Sequence, residues 1–402
     1  MMAGIKFEVV KKIADTKFMI RKMRNISKLD SVSPPSVFVG SKLKYPLVNI
    51  GILSPLQREE DAWVYDNESY WAKNDFSIKD VVQLRESLLN SRFQSQVQDS
   101  RMNKRFVNLA QEIAIASKPV DVEIELKRKF DFRRKNDRVL TPHGMKAPLK
   151  KAKITGNVKV HRKVDSVVND ELKAAEGIEI LYKSNFSEYT LNKILSVGVL
   201  GLKKNKKFVP TRWSITATDD TIGKHVLKRV RDYKWIEDYG IFFGEFMGNQ
   251  YLIMFFPDVF NYELFELYYP GSSWNPTKVL KASTDYETFS GRKTYASNTV
   301  GGYYATRLPI LEYLDSIKRQ ASILVIRLET PSYWASLGVW VVRESVRKAI
   351  ARGMMKFGSK EELLEGLKKI AKVKYDFDPN EILEKSRLLN QINTQQKLGS
   401  WF

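Results

Sequence analysis

The sequence predicts a mixed α+β protein. A central, mostly antiparallel sheet lies at about 178–330, helices pack on it from both ends of the chain, and a flexible C-terminal tail follows. Three observations predict this. Aromatic and β-branched runs between Tyr239 and Tyr269 are interrupted by Gly248-Asn249, a hairpin signature. Ile323 to Glu329 is a continuous apolar run of strand length that ends in charge. Around them stand stretches whose apolar residues recur at helical spacing, such as 78–93 and 359–372.

Composition sets the bounds. The chain has 402 residues, 43% of them hydrophobic and 12% aromatic, enough for a sizeable core. Formal net charge is +21, an excess that favours a polyanionic partner such as DNA, with a Lys-rich soluble surface as the plainer alternative. With no cysteine, disulfides, Cys-ligated zinc, iron–sulfur clusters and thiol chemistry are excluded. His143, His161 and His225 do not have metal-ligand spacing. No cofactor is called for, and Mg²⁺ held by carboxylates is the one metal the residue types leave open. No apolar run reaches membrane-spanning length and no signal pattern opens the chain. The expectation is a cytoplasmic protein without a membrane partner, at the nucleoid if DNA is bound.

In chain order, residues 1–30 form a basic, weakly amphipathic segment, either packed on the body or touching DNA. Pro34-Pro35 keeps the next stretch extended, and Val37 to Gly40 and Leu47 to Gly51 read as short strands ending in glycine. Ser77 is a plausible N-cap for a helix over 78–93, and a second helix runs from about Arg101 to Ser117, stopped by Lys118-Pro119. Val120 to Leu126 alternates as a strand.

Residues 127–153 hold 11 Lys and Arg against 2 Asp. The stretch reads as a long basic loop broken by Thr141-Pro142 and Ala147-Pro148. Lys127, Arg128, Lys129, Arg133, Arg134 and Lys135 are its candidate DNA contacts, with Phe130 and Phe132 placed for stacking; a solvated charge run is the alternative. The body spans 31–390, and this loop is where it would divide.

A helix is expected near 165–175. The stretch around Trp213 alternates like a strand, with Asp219 or Asp220 capping a helix from Thr221 to Tyr233. Gly301-Gly302 reads as a flexible loop ahead of a helix from Leu308 to Arg319, where backbone N–H groups and Arg307 would suit a phosphate. Arg212, Asp219, Asp220, Arg307 and Glu329 together form a candidate nucleotide or catalytic site, if the fold brings them together. Structural ion pairs explain the same residues equally well. Helices follow at 341–352, 359–372 and 379–390.

The segment 391–402 reads as a polar tether ending in a hydrophobic plug. Leu398, Trp401 and Phe402 stand at i, i+3 and i+4 and share one face of a helical turn, with Gln395 one turn earlier. This spacing resembles the clamp-interacting peptide (PIP motif) of DNA replication and repair proteins, which implies a PCNA-type sliding clamp as partner. Burial of three side chains, less the ordering cost, suggests roughly micromolar affinity. The alternative is a tail folded back on its own domain.

Seven segments together resemble the archaeal Nre DNA repair protein family. They are Ser33–Gly40, Tyr45–Leu53, Gly198–Gly201, Val209–Asp220 (VPTRWSITATDD), Gly301–Leu308, Leu337–Trp340 with Arg343-Glu344, and Gln395–Phe402. The resemblance covers the chain from about residue 30 onward. It implies a role in DNA damage repair and a clamp-binding C-terminus; DNA and other repair proteins are further candidate partners, with any DNA contact falling to the basic segments 1–28 and 127–153. It brings no catalytic residue. Many members of the family begin with a cysteine-based zinc module, and the lack of cysteine here places this chain with the branch without it.

Overall fold

The computed structural model describes residues 27–41, 43–127 and 144–394. Outside them lie Gln395, Leu398, Trp401 and Phe402, the cations Arg128, Lys129, Arg133, Arg134 and Lys135, and nearly all of the 1–30 segment. The described residues divide into two compact units. The first ends at Ile222 and takes in Ser336–Gly338; the second begins at Gly223, breaks at Ala335 and resumes at Val339.

The first unit opens with β1 (Lys28–Ser33), β2 (Val37–Val39) and β3 (Leu47–Ser54). Gly51 is needed for close approach: a Cβ there would stand 1.8 Å from Asn90 Oδ1. A 3₁₀ turn at Ala62–Asp66 leads into α1 (Glu68–Lys73) and α2 (Ile78–Glu86). Ser77 caps α2 as expected, in a reciprocal capping box with Asp80. The helix predicted over 78–93 stops early, and Leu89–Gln96 is β4. Leu89 and Phe93 are four apart, which puts them on one face in either helix or strand, so spacing alone could not separate the two.

Next come α3 (Arg105–Ile115), β5 (Val120–Leu126) and β6 (Lys146–Ile154). Residues 146–153 of the expected basic loop are therefore strand, and β5 and β6 pair with each other. Three helices, α4 (Arg162–Asn169), α5 (Ala174–Lys183) and α6 (Glu188–Ser196), stand where one was expected. The sheet order is β1-β5-β6-β4-β3-β2; β4 and β6 are parallel and the other neighbours antiparallel.

The strand expected around Trp213 is a helix, α7 (Thr211–Val230), whose course crosses from the first unit into the second. Its most deeply buried side chains, Ser214, Thr218, Ile222, Val226 and Val230, are spaced four apart. The stripe begins with a serine and a threonine, so apolar periodicity could not show it. Asp219 and Asp220 lie inside this helix, not at the start of one.

The second unit is built on a hairpin of β7 (Tyr239–Phe246) and β8 (Asn249–Phe256). Its turn residues are Met247 and Gly248, at φ +49° and +74°, the paired positive angles of a type I′ turn, one residue earlier than expected. Then follow β9 (Asn261–Tyr268), β10 (Lys281–Glu287), α8 (Val300–Ile317) and β11 (Ser322–Glu329). Four helices and a short strand close the unit: α9 (Trp340–Ala351), β12 (Met355–Phe357), α10 (Lys360–Tyr375), α11 (Asn380–Lys385) and α12 (Arg387–Thr394). The sheet order is β10-β9-β11-β8-β7-β12, with β9 and β11 parallel and the other neighbours antiparallel.

One face of this sheet, with Leu252, Met254, Leu324 and Ile326, packs on Leu363 and Leu367 of α10 and Leu388 and Leu389 of α12. On the other face Phe242 meets Tyr313 of α8 at 5.1 Å, and a Cβ on Gly244 would stand 2.8 Å from Ala349 Cα of α9. The α+β class and its mostly antiparallel pairing therefore hold, with two sheets in place of one central sheet. Residues 391–394, read as polar tether, are the last turn of α12. There Ile392 packs against the core and Gln391 accepts a hydrogen bond from Tyr286.

Candidate functional site

Burial of charge marks two places, one in each unit. In the second unit, strand register sets Arg327 of β11 opposite Glu266 of β9 and Tyr251 of β8. Arg327 donates to Glu266, to Glu329 at 3.1 Å and to Asn249 Oδ1 at 2.6 Å. Tyr268 completes Glu266 with a 2.7 Å bond. Burial pushes the Glu329 carboxyl up, against the pull of Arg327. Gly302 makes room for this network, since a Cβ on it would stand 2.2 Å from Glu266 Oε1.

Beside it, Arg307 donates to both oxygens of Glu287 at 2.9 Å. Its guanidinium lies 5.7 Å from the ring centre of Tyr303 and 5.3 Å from that of Tyr304. Gly301 and Gly302 form the first turn of α8 and not a loop, because the helix starts eight residues ahead of the expected Leu308. The Gly302 amide donates to Thr299 O at 3.1 Å, and the amides just ahead of the helix face a protein carboxylate. Asn298 N, Thr299 N and Thr299 Oγ1 donate to Asp285 Oδ2 at 2.9, 2.8 and 2.9 Å. Arg292 balances Asp285 at 3.2 Å.

In the first unit, the buried Asp66 carboxylate meets Arg85 and, at 2.9 Å, Lys193. Burial alone would raise its pKa. The Lys193 and Arg85 charges, with hydrogen bonds from Lys193 and Ser36, outweigh burial and hold it down to about 2. Glu68 nearby is pushed up by burial and then by the Asp66 charge. Its Oε2 is sealed from solvent without a hydrogen-bond partner. Nothing in the Trp63–Glu68 stretch announces this cluster, because a caged carboxylate differs from a solvated one only through distant partners.

The five residues proposed as a nucleotide or catalytic site are distributed between the units. Arg212 stands in the first turn of α7, and Asp219 and Asp220 are buried farther along it, all in the first unit. Arg307 and Glu329 belong to the second, where Glu287 and Arg327 are their partners. Among the described residues no group of three or more His, Asp or Glu could hold a metal ion. No described helix is long and apolar enough to cross a membrane.

Family models decide the kinship: "Archaeal Nre, N-terminal" matches residues 4–275 and "Archaeal Nre, C-terminal" matches 287–401. The chain belongs to the archaeal Nre family. It is 40% identical over 321 residues to the DNA repair protein NreA of Haloferax volcanii, covering 78% of this chain and 76% of that one. It is 40% identical over 331 residues to the NreA of Archaeoglobus fulgidus, covering 82% of each chain. With the DNA repair protein NreB of the same organism it shares 35% over 361 residues, covering 89% of this chain and 88% of the relative. No solved structure matches.

The two Nre regions do not coincide with the two compact units, since the N-terminal match runs on through β9. Segments that carried the resemblance meet inside the first unit. Val39 N donates to Thr211 Oγ1 at 2.9 Å, and Thr211 Oγ1 lies 3.1 Å from Ser196 Oγ. Part of the Nre signature thus fastens the start of α7 to β2.

Proposed function

We propose that this Nre chain is a DNA repair factor brought to DNA by a PCNA-type sliding clamp through Gln395, Leu398, Trp401 and Phe402. The observation that carries the reading is the spacing of those four residues, which gathers three large apolar side chains on one helical face. Relatives at 35–40% identity named DNA repair proteins support the repair role. The match to the C-terminal Nre model extends to residue 401 and so runs over Gln395, Leu398 and Trp401. Helix α12 is held to the body at Gln391 and Ile392, and the motif follows it directly.

DNA contact is assigned to the basic segment, through Lys127, Arg128, Lys129, Arg133, Arg134 and Lys135. Lys150 and Lys153 of the same segment pair with Glu125 and Glu123. In the end-processing alternative, Arg307 and Glu329 would act from their pairs with Glu287 and Arg327.

Titration calorimetry against the organism's own clamp tests the recruitment. The intact chain should bind at roughly micromolar affinity. The double substitution Trp401→Ala/Phe402→Ala should weaken this by at least about tenfold. Unchanged affinity would remove the proposal.

A further inference from the structure

The loop 288–299 of the second unit holds Arg292 and Lys293 and no acid. Facing it, the end of α7 and the residue after it carry Lys224, Lys228 and Arg231 at i, i+4 and i+7, with no acid from Gly223 to Arg231; Asp232 is the first to follow. The two elements touch at both ends of this row. Lys224 Nζ lies 5.9 Å from the Tyr295 ring centre, and the Arg231 guanidinium 5.2 Å from that of Phe289. Both rings nonetheless stay open, Phe289 at 40% and Tyr295 at 58% exposure.

The loop that presents them is firmly tied. Phe289 N donates to Asn261 Oδ1 at 2.9 Å, Arg292 to Tyr286 O at 2.9 Å, and Ala296 N to Tyr304 Oη at 2.8 Å. Its end at Thr299 is fixed to Asp285. Two large rings held in water on a fixed loop, beside a row of cations, are preorganised for a flat, anionic ligand.

We propose that Lys224, Lys228, Arg231, Phe289, Lys293 and Tyr295 form a platform for single-stranded DNA. The rings stack on unpaired bases and the cations meet the phosphates. The platform rests on the reading of DNA as partner and adds a form of DNA and a surface to it. Stacking requires an exposed base face, which a duplex hides, and it contributes about 1–3 kcal/mol per base. A protein partner would bury the rings too, but it would not make binding to a nucleic acid salt-dependent.

Fluorescence anisotropy on the full chain tests this, with labelled oligo(dT) and a hairpin duplex as probes. Phe289→Ala/Tyr295→Ala should weaken oligo(dT) binding by at least about tenfold with the salt slope unchanged. Duplex affinity should change less than about threefold, because the phosphate contacts persist. Lys224→Ala/Lys228→Ala should lower the slope of log K against log salt by about 0.7 per lost contact. Wild-type oligo(dT) affinity in the ring variant overturns the proposal, as does an equal loss on duplex or an intact chain that binds no oligo(dT). Unaltered clamp titration and circular dichroism in both variants report an intact fold. If the tail variant keeps its clamp affinity, recruitment fails and the platform is unaffected.

Discussion

The two sheets have the same number of strands and a similar wiring, each joining antiparallel ribbons through one parallel pair among the described residues, yet they treat charge in opposite ways. In the first sheet β5 alternates: Val122 and Ile124 are covered, while Glu123 and Glu125 reach out to Lys153 and Lys150 on β6. In the second, β9 and β11 are buried at every position because helices cover both faces. No solvent face remains for Glu266, Arg327 or Glu329, so these must satisfy one another. Ion pairs alike on paper therefore carry very different stakes.

Removing one partner from each sheet sharpens the contrast, and the largest effect belongs to Arg327→Met. Glu266 and Glu329 would be left buried side by side without their cation, at a cost of about 3–5 kcal/mol. Urea denaturation should show the second unit unfolding at markedly lower denaturant. The triple variant Arg327→Met/Glu266→Gln/Glu329→Gln should recover much of the loss, since paired removal relieves the stranded charge. Lys153→Ala in the first sheet should stay within about 0.5 kcal/mol. Comparable losses from the two single substitutions would break the comparison.

Asp66 gives the first unit its own buried pair and a pH signature. Its carboxyl is held below the ordinary value of 3.8, at about 2, so the folded state prefers the ionised form. That preference stabilises fully above pH 4 and fades as pH falls toward 2, a contribution of about 2 kcal/mol. Unfolding midpoints measured across this window should fall steeply for the intact chain. Asp66→Asn should be less stable at neutral pH and show a flatter acid limb; an unchanged limb would place the acid sensitivity elsewhere.

Gly302→Ala comes next. In an exposed helix this change is favourable by about 1 kcal/mol. Here the new Cβ would stand 2.2 Å from Glu266 Oε1, a buried oxygen with no room to withdraw, so the sign should reverse to a loss of about 1–2 kcal/mol. A thermal midpoint above that of the parent would show that the network can shift.

The same contrast explains what could be read from the residues. β7, β8, β9 and β11 of the second sheet were legible because burial on both faces writes long apolar runs, as in Ile323–Glu329, and a Gly-containing turn separates β7 from β8; the edge strands β10 and β12 lack such runs. In the first sheet β2, β3 and β5 were legible too, but β4 was not, because it shares its spacing with the preceding helix. Helix α7 was misread because its covered stripe starts with Ser214 and Thr218, which look polar until a neighbouring Asn192 is known to bond Ser214. Of the site, single charges could be named, but their partners lie far along the chain. Arg307 finds Glu287 twenty residues back, and Arg327, the partner of Glu329, also meets Glu266 sixty-one residues before it.

The smallest effect concerns the edge of the second sheet, where β10 meets the C-terminal helix. Tyr286 of β10 donates its hydroxyl to Gln391 of α12, while Glu263 of β9 accepts from Ser386, Arg387 N and Leu388 N at the start of that helix. The helix is thus anchored at its start by a buried carboxylate and near its end by one half-buried hydroxyl. Tyr286→Phe keeps the ring and removes that last bond, for about 0.5–1.5 kcal/mol locally and little change in global stability. Hydrogen exchange should quicken at Gln391 to Thr394 and stay constant at Leu388 and Leu389, which the core covers. If exchange were constant throughout, Ile392 packing alone would hold the final turn. Faster exchange along the whole helix would instead show that the hydroxyl and the Glu263 carboxylate act as one unit.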